Sequence, residues 1–152
     1  MTEMHRKCFK MIKSYLKQIR KIVMPNQKEF YDWVLKNGKS FKENQISKIP
    51  ENISNRQKQC YYNSQMLVLS NDKFDYYEGW YVTEEIGIPF EHSWNVSNGK
   101  VIDVTAFKRF NVREYFGIKI PIEYVRKMLL KTGYSDGFLG RYYYDEIKNA
   151  KL

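Results

Sequence analysis

A chain of 152 residues, 43% hydrophobic and 28% charged, is sized for one domain with a real core; this excludes a disordered chain and removes the need for a disulfide or metal staple. Two distant cysteines, Cys8 and Cys60, and two scattered histidines exclude a disulfide framework and every zinc-site spacing, so no metal or other cofactor is expected. The formal charge of +9 is lopsided: residues 1–60 carry 14 Lys+Arg against 5 Asp+Glu, and residues 61–152 carry 12 of each.

A basic arm of this kind suits nucleic acid, an acidic protein or an anionic membrane surface, or is simply a solvated helix face. No run of about 18 apolar residues is present, so no membrane span is expected. Lysines interrupt the apolar residues of the N-terminus throughout, unlike a secretory signal. The expected location is cytoplasmic, with free thiols.

Residues 3–23 repeat apolar side chains at three- and four-residue steps (Met4, Cys8, Met11, Ile12, Tyr15, Leu16, Ile19, Ile22, Val23), with Lys and Arg between. That spacing predicts an amphipathic helix stopped near Pro25, its stripe packed on the domain or free for a membrane or a partner. Residues 27–36 predict a second short helix with Asn37-Gly38 as its C-terminal cap. Residues 38–58 read as loop. Residues 60–70, "CYYNSQMLVLS", predict a buried helix beginning at or just before Cys60. "FDYYEGWYVTE" reads as a strand, as do 91–96 and 100–105 on either side of a Ser-Asn-Gly turn. Residues 121–131 predict a helix opened by Pro121. A Gly-containing loop and a short terminal segment follow.

The hairpin holds the most informative constellation. With a two-residue Asn98-Gly99 turn, Ser97 faces Lys100, Val96 faces Val101 and Trp94 faces Asp103. His92, Trp94, Val101, Asp103 and Thr105 then share one face. His92 and Asp103 become diagonal neighbours roughly 7 Å apart at Cβ, within reach of an imidazole and a carboxylate. A three-residue turn would put Asp103 on the other face. Cys60, His92 and Asp103 are the residue types of a thiol nucleophile, its general base and acid, and the carboxylate that orients the imidazole. A cysteine at a helix N-terminus gains further from the helix dipole. The Cys60 N–H would face a developing oxyanion, with Gln57, Gln59 or Asn63 as second donor. The plain alternatives are a small buried cysteine, a satisfied histidine and a turn-capping aspartate. Glu78 can line the cleft or be salt-bridged or solvated; Trp94 can wall the acyl site or belong to the core. Asn95 lies on the face away from His92.

"GWYVTEEIGIPFEHSWNVSNGKVIDVT" resembles the core of transglutaminase-like proteins of the papain-like superfamily. That core runs from a cysteine at a helix start, through a strand carrying a glycine, to a His-x-Trp strand, a turn and an Asp-x-Thr strand. The matching residues are Cys60, Gly79, His92-Ser93-Trp94, Gly99 and Asp103-Val104-Thr105; many members have proline where this chain has Val104. "CYYNSQ", "YYEGW", "HSWNV" and "YFGIKIP" are also similar to small uncharacterised phage and bacterial proteins of this group, which would place the chain in host cytoplasm. The resemblance covers residues 57–125. It implies an α+β, papain-like fold, an antiparallel sheet packed on the helix carrying the cysteine, with N-terminal helices. It implies Cys60 as nucleophile, His92 as base and acid and Asp103 as orienting carboxylate.

The expectation is one domain: a basic helical N-terminal region (1–58), a transglutaminase-like core (59–125) and a C-terminal extension (126–152). The expected function is thiol-dependent acyl transfer, chiefly hydrolysis of a peptide or protein amide by a protease, peptidase or deamidase. The rivals are an inactive basic, aromatic module that binds nucleic acid, and an interaction factor whose N-terminal helix docks an acidic partner.

Overall fold

The structure, a computed structural model, describes residues 11–47, 49, 56, 58–106 and 110–151. Two helices open it, α1 (Met11–Ile22) and α2 (Pro25–Asn37), followed by strand β1 (Lys39–Lys42) and a single 3₁₀ turn (Glu43–Gln45). Helix α3 (Cys60–Ser70) leads into β2 (Asp75–Thr83), β3 (Phe90–Ser97) and β4 (Lys100–Ile102). Strand β5 (Val112–Ile120), helix α4 (Ile122–Thr132) and a short helix α5 (Leu139–Tyr142) with π and 3₁₀ turns complete the chain. The fold is α+β. None of the described helices is long and apolar enough to cross a membrane.

The strands form one antiparallel sheet in the order β1–β5–β2–β3–β4. It curls. Ile46, just beyond β1 at one edge, bridges Val101 of β4 at the other, and Ser47 N–H donates to the Val101 carbonyl at 2.8 Å. Alternation along each strand therefore sorts side chains into two cores. Phe41, Tyr77, Trp94, Val96, Val101 and Tyr115 fill the concave side. Tyr76, Trp80, Phe116, Ile118 and Ile120 face outward and are covered by the helices.

The stripe of α1 packs on this outer face through Ile12 and Leu16, each fully buried, contributing about 1.5–3 kcal/mol apiece. The stripe does not stay covered: Ile22 at its end is 80% exposed. Met4 and Cys8 lie outside the described residues.

Two sequence expectations are corrected. Residues 38–58 are not all loop, because β1 pairs with β5 from Lys39↔Gly117 to Lys42↔Glu114. Gly38 does cap α2, its N–H donating to the Val34 carbonyl, and its extended backbone (φ −67°, ψ 149°) leads directly into β1. The segment read as strand to residue 105 ends at Ile102, and residues 104–106 form a turn. The stretch before Pro121, to which the sequence reading assigns no element, is β5, paired with both β1 and β2. At its centre Gly117 faces Gly79. A Cβ on Gly117 would stand 2.3 Å from the Glu78 carbonyl oxygen and 2.7 Å from the Trp94 ring, so the pair lets the strands approach and admits the indole beneath them.

Candidate active site

The site is assembled where β4 stops short. The hairpin turn has the predicted two residues: Asn98 and Gly99 both adopt positive φ (51° and 74°), as a type I′ turn requires. Ser97↔Lys100, Val96↔Val101 and Asn95↔Ile102 follow. Past Ile102, Asp103 turns the chain away, its Oδ1 accepting the N–H groups of Thr105 (3.1 Å) and Ala106 (3.0 Å). Its Oδ2 accepts from His92 Nε2 at 2.7 Å and from the Tyr115 hydroxyl at 2.8 Å. Both side chains are buried, at 5% and 2% exposure. The carboxylate can only accept here, so Nε2 carries a proton and Nδ1 is the ring nitrogen left for the thiol.

Cys60 is the first residue of α3, where N–H groups have no intrahelical partner and the helix dipole favours an anion. The chain arrives through Lys58, whose φ of 59° is unusual for a residue with a side chain. Asn63 holds this approach. Its Oδ1 accepts the Arg56 N–H (2.7 Å), and its Nδ2 donates to the Arg56 carbonyl (2.7 Å) and to Thr105 Oγ1 (2.8 Å). One buried amide thus ties the loop before the cysteine to the turn after the aspartate.

Cys60 then occupies the open edge of β3. Ladder bonds alternate, and the two-residue turn makes Ser97, Asn95 and Ser93 the residues whose N–H groups point toward β4. No β4 residue continues the ladder at Ser93, whose N–H is among the groups that lower the Cys60 thiol. Cys60 and His92 line one cleft, and His92 and the Ser93 side chain act on the thiol in the same direction.

The electrostatics follow from these contacts. Burial pushes the Cys60 thiol up, but the His92 hydrogen bond and charge and the Ser93 donors outweigh it and leave the thiol below its ordinary value. Burial pushes the His92 imidazolium down, and Asp103, with Cys60, more than reverses this, so the ring holds its proton well above the usual histidine range. Burial raises Asp103, against which His92, the Ala106 N–H and the Tyr115 hydroxyl keep it ionised. A thiolate beside an imidazolium is the form these groups favour together.

The thiol opens onto a cleft of about 280 Å³ lined by Lys58, Tyr81, Phe90, Glu91, His92, Thr105, Ala106 and Phe110. Chemically, the arrangement can present a nucleophilic sulfur to an acyl carbon and return a proton to a leaving group.

The other expected site residues fall elsewhere. Trp94 is fully buried in the concave core, stacked on Tyr77 and packed on Tyr115, and lines no part of the cleft. Glu78 faces outward and is neither solvated nor salt-bridged. It accepts the Tyr76 hydroxyl (2.6 Å) and the N–H groups of Phe138 (2.7 Å) and Leu139 (2.7 Å), and so pins the C-terminal segment, beside a separate cavity of about 190 Å³. Burial pushes its carboxyl up to about 7, against the pull of these donors. Asn63 spends both amide protons on structure. Gln59 is exposed at the N-cap of α3 and makes no side-chain cap bond. Gln57 lies outside the described residues. Asn95 is on the face away from His92 and donates to the Ser64 carbonyl at 2.9 Å.

Three site residues escape sequence reasoning. Ser93 is found only if hairpin parity is applied to backbone N–H groups as well as to side chains. Tyr81 stacks on His92 from β2, two residues beyond the Gly79↔His92 pair. Tyr115 comes from the unassigned strand. A scan against protein-family models matches none, and searches of curated proteins and of solved structures return no match.

Proposed function

We propose that this protein is a thiol-dependent acyl-transfer enzyme of transglutaminase-like, papain-like type, most simply an amide hydrolase. The observation that carries the reading is a single ring: His92, bonded to the Asp103 carboxylate at 2.7 Å, lines the same cleft as Cys60. Chain order and architecture support it, since the cysteine opens a helix packed on β3 and the histidine and aspartate flank a tight hairpin.

In this mechanism the Cys60 proton resides on His92. The thiolate forms a bond to the amide carbon, and the carbonyl π electrons move to oxygen. The Cys60 N–H and the Gln59 amide are the donors proposed for that oxyanion. Collapse breaks the C–N bond as the imidazolium gives its proton to the departing amine, leaving a thioester. Water, deprotonated by His92, then attacks the thioester and the C–S bond breaks. An amine in place of water gives transfer; hydrolysis is preferred because water is always at hand.

The test is iodoacetamide alkylation of Cys60, followed by mass spectrometry from pH 4 to 9, together with acyl-enzyme formation from p-nitrophenyl acetate. Alkylation that is fast near pH 6 in the native chain and slow in His92→Ala, with acetyl found on Cys60, supports the reading. Alkylation only above about pH 8, as for a free thiol, overturns it.

A further inference from the structure

The cavity of about 190 Å³ beside Glu78 is far larger than one water requires. Its walls are the rings of Phe30, Tyr61 and Trp80 and the side chains of Glu78 and Glu91, closed by the C-terminal segment at Gly140. Strand register brings the acids together: Trp80 pairs with Glu91, and Glu78 lies two residues back on β2, so all three side chains share one face. No Lys, Arg or His lines this cavity, in a chain whose formal charge is +9.

Glu78 is 3% exposed, and its partners, the Tyr76 hydroxyl and the N–H groups of Phe138 and Leu139, all donate. Such partners suit an ionised carboxylate, and three donors leave one of its roughly four acceptor sites over. Among the described residues neither Glu78 nor Glu91 forms an ion pair. A buried carboxylate that has donors but no counter-charge is opposed by its own desolvation. A cation in the cavity would remove that opposition, and the three rings would add cation–π attraction. The same carboxylates repel an anion, and a neutral apolar group would bury them without compensation.

Two residues join this cavity to the chemistry. Glu91 lines both it and the thiol cleft, and Tyr61 follows Cys60 at the start of α3. A substrate lying across the edge of β3 can therefore hold its acyl carbon at Cys60 and turn a side chain past Glu91 into the cavity. We propose that this cavity is the subsite for a cationic side chain of the acyl substrate, an ammonium or guanidinium on an aliphatic stem. The inference rests on the thiol-enzyme reading above and names its substrate class. Glu91 meets the charge at the exposed end, Glu78 receives it inside, and the rings hold the stem.

The test compares two reagents that differ by one ammonium group. Cys60 in the full chain is alkylated at pH 7.5 with the chloromethyl ketones of Nα-acetyl-lysine and Nα-acetyl-norleucine, the thiolate displacing chloride, and each rate is divided by that for free N-acetylcysteine. In wild type the lysine reagent should lead by about tenfold. The lead should fall to about twofold or less in Glu91→Gln and in Gly140→Lys, which adds a positive charge where nothing lies within 4 Å of the new Cβ. Both positions are exposed, so neither variant disturbs the core. Equal rates for the two reagents, in a chain whose Cys60 shows a low, His92-dependent alkylation midpoint, overturn this inference alone. A lysine lead that survives both substitutions also overturns it, by placing the preference outside the cavity. An ordinary free-thiol midpoint with iodoacetamide that His92→Ala leaves in place overturns the thiol-enzyme reading and takes this inference with it.

Discussion

The Tyr81 ring lies over the His92 imidazole, with centroids 4.1 Å apart and 25° between the planes. Asp103 fixes the ring through Nε2, and Tyr81 fixes it through its face. An imidazolium stacked on a phenol also gains cation–π attraction. Replacing Tyr81 with Ala should slow Cys60 alkylation at neutral pH about 5- to 10-fold, the equivalent of an aromatic contact of about 1 kcal/mol. Tyr81→Phe should stay near wild type, because the face and not the hydroxyl does the holding. Equal loss in both variants would assign the effect to the hydroxyl.

Asn63 makes a different prediction from the one its place near the cysteine suggests. With both amide protons and its carbonyl committed to Arg56 and Thr105, it acts on stability. Asn63→Ala leaves buried backbone and hydroxyl groups unpartnered and should destabilise the chain by about 1–3 kcal/mol in urea unfolding. Asn63→Asp, which retains only acceptors, should lose a similar amount. Unchanged urea midpoints would return Asn63 to the list of oxyanion donors.

Gly117 tests the packing beneath the site. In Gly117→Ala, the new methyl would meet the Glu78 carbonyl and the Trp94 ring at 2.3 and 2.7 Å, where the backbone cannot yield. A loss of about 3 kcal/mol or more is expected. Gly99→Ala should cost less: nothing lies within 4 Å of that position, and only its φ of 74° is strained. Similar losses at both would mean that the paired strands can separate at little cost.

How much of this was legible beforehand depended on whether the determinant was local. Helix α3 and the β3–β4 turn carry their own signals, an apolar run opening at Cys60 and an Asn-Gly pair, and these are enough to bring His92 to Asp103. Strand β5 is set by distant partners. Its central position comes from pairing with β1 and β2, 72–78 and 29–44 residues away in the chain. Strand β1 buries only Phe41, too little for a pattern. Tyr115, which donates to Asp103, was therefore invisible with its strand. Glu78 and Trp94 were noticed by residue type, but the curl of the sheet decides which face meets the cleft, and alternation alone does not reveal the curl.

Glu114 predicts a pH dependence of stability. It is buried on the outer face of β5, with Ser40 Oγ at 3.3 Å from one oxygen. Burial raises its carboxyl from 4.5 to about 7, while Ser40, Lys13 and Lys42 oppose the rise. Between those values the folded state holds a proton that the unfolded state has released, so the contribution to stability falls as pH rises from about 4.5 through 7. Glu78 shifts in the same direction to about 7, and the raised His92 adds to the loss once the pH passes 6.5, so the wild-type decline has several sources. Glu114→Gln removes one of them and should flatten the decline by about 2 kcal/mol. Urea midpoints at pH 5 and 7.5 measure it; an unchanged slope would show that Glu114 ionises freely in the fold.

Asp103→Asn asks most of the site. Asn keeps an oxygen to accept the Thr105 and Ala106 N–H groups, so the turn after β4 can survive. The other carboxylate oxygen becomes an NH₂ facing His92 Nε2. Since NH₂ can only donate, Nε2 must accept, and the ring proton moves to Nδ1, toward the thiol. The imidazole then has no free lone pair for the Cys60 proton, and the negative charge that holds the imidazolium well above the histidine range is gone. The same NH₂ also opposes the Tyr115 hydroxyl, which now donates to Oδ2. Alkylation of Cys60 at pH 6 should fall by about 100-fold or more, toward a free thiol, while urea stability changes little by comparison. Tyr115→Phe, which relieves that second conflict, should restore part of the stability in the double variant and none of the reactivity. Recovery of both together would mean that Asp103 serves only to hold the turn.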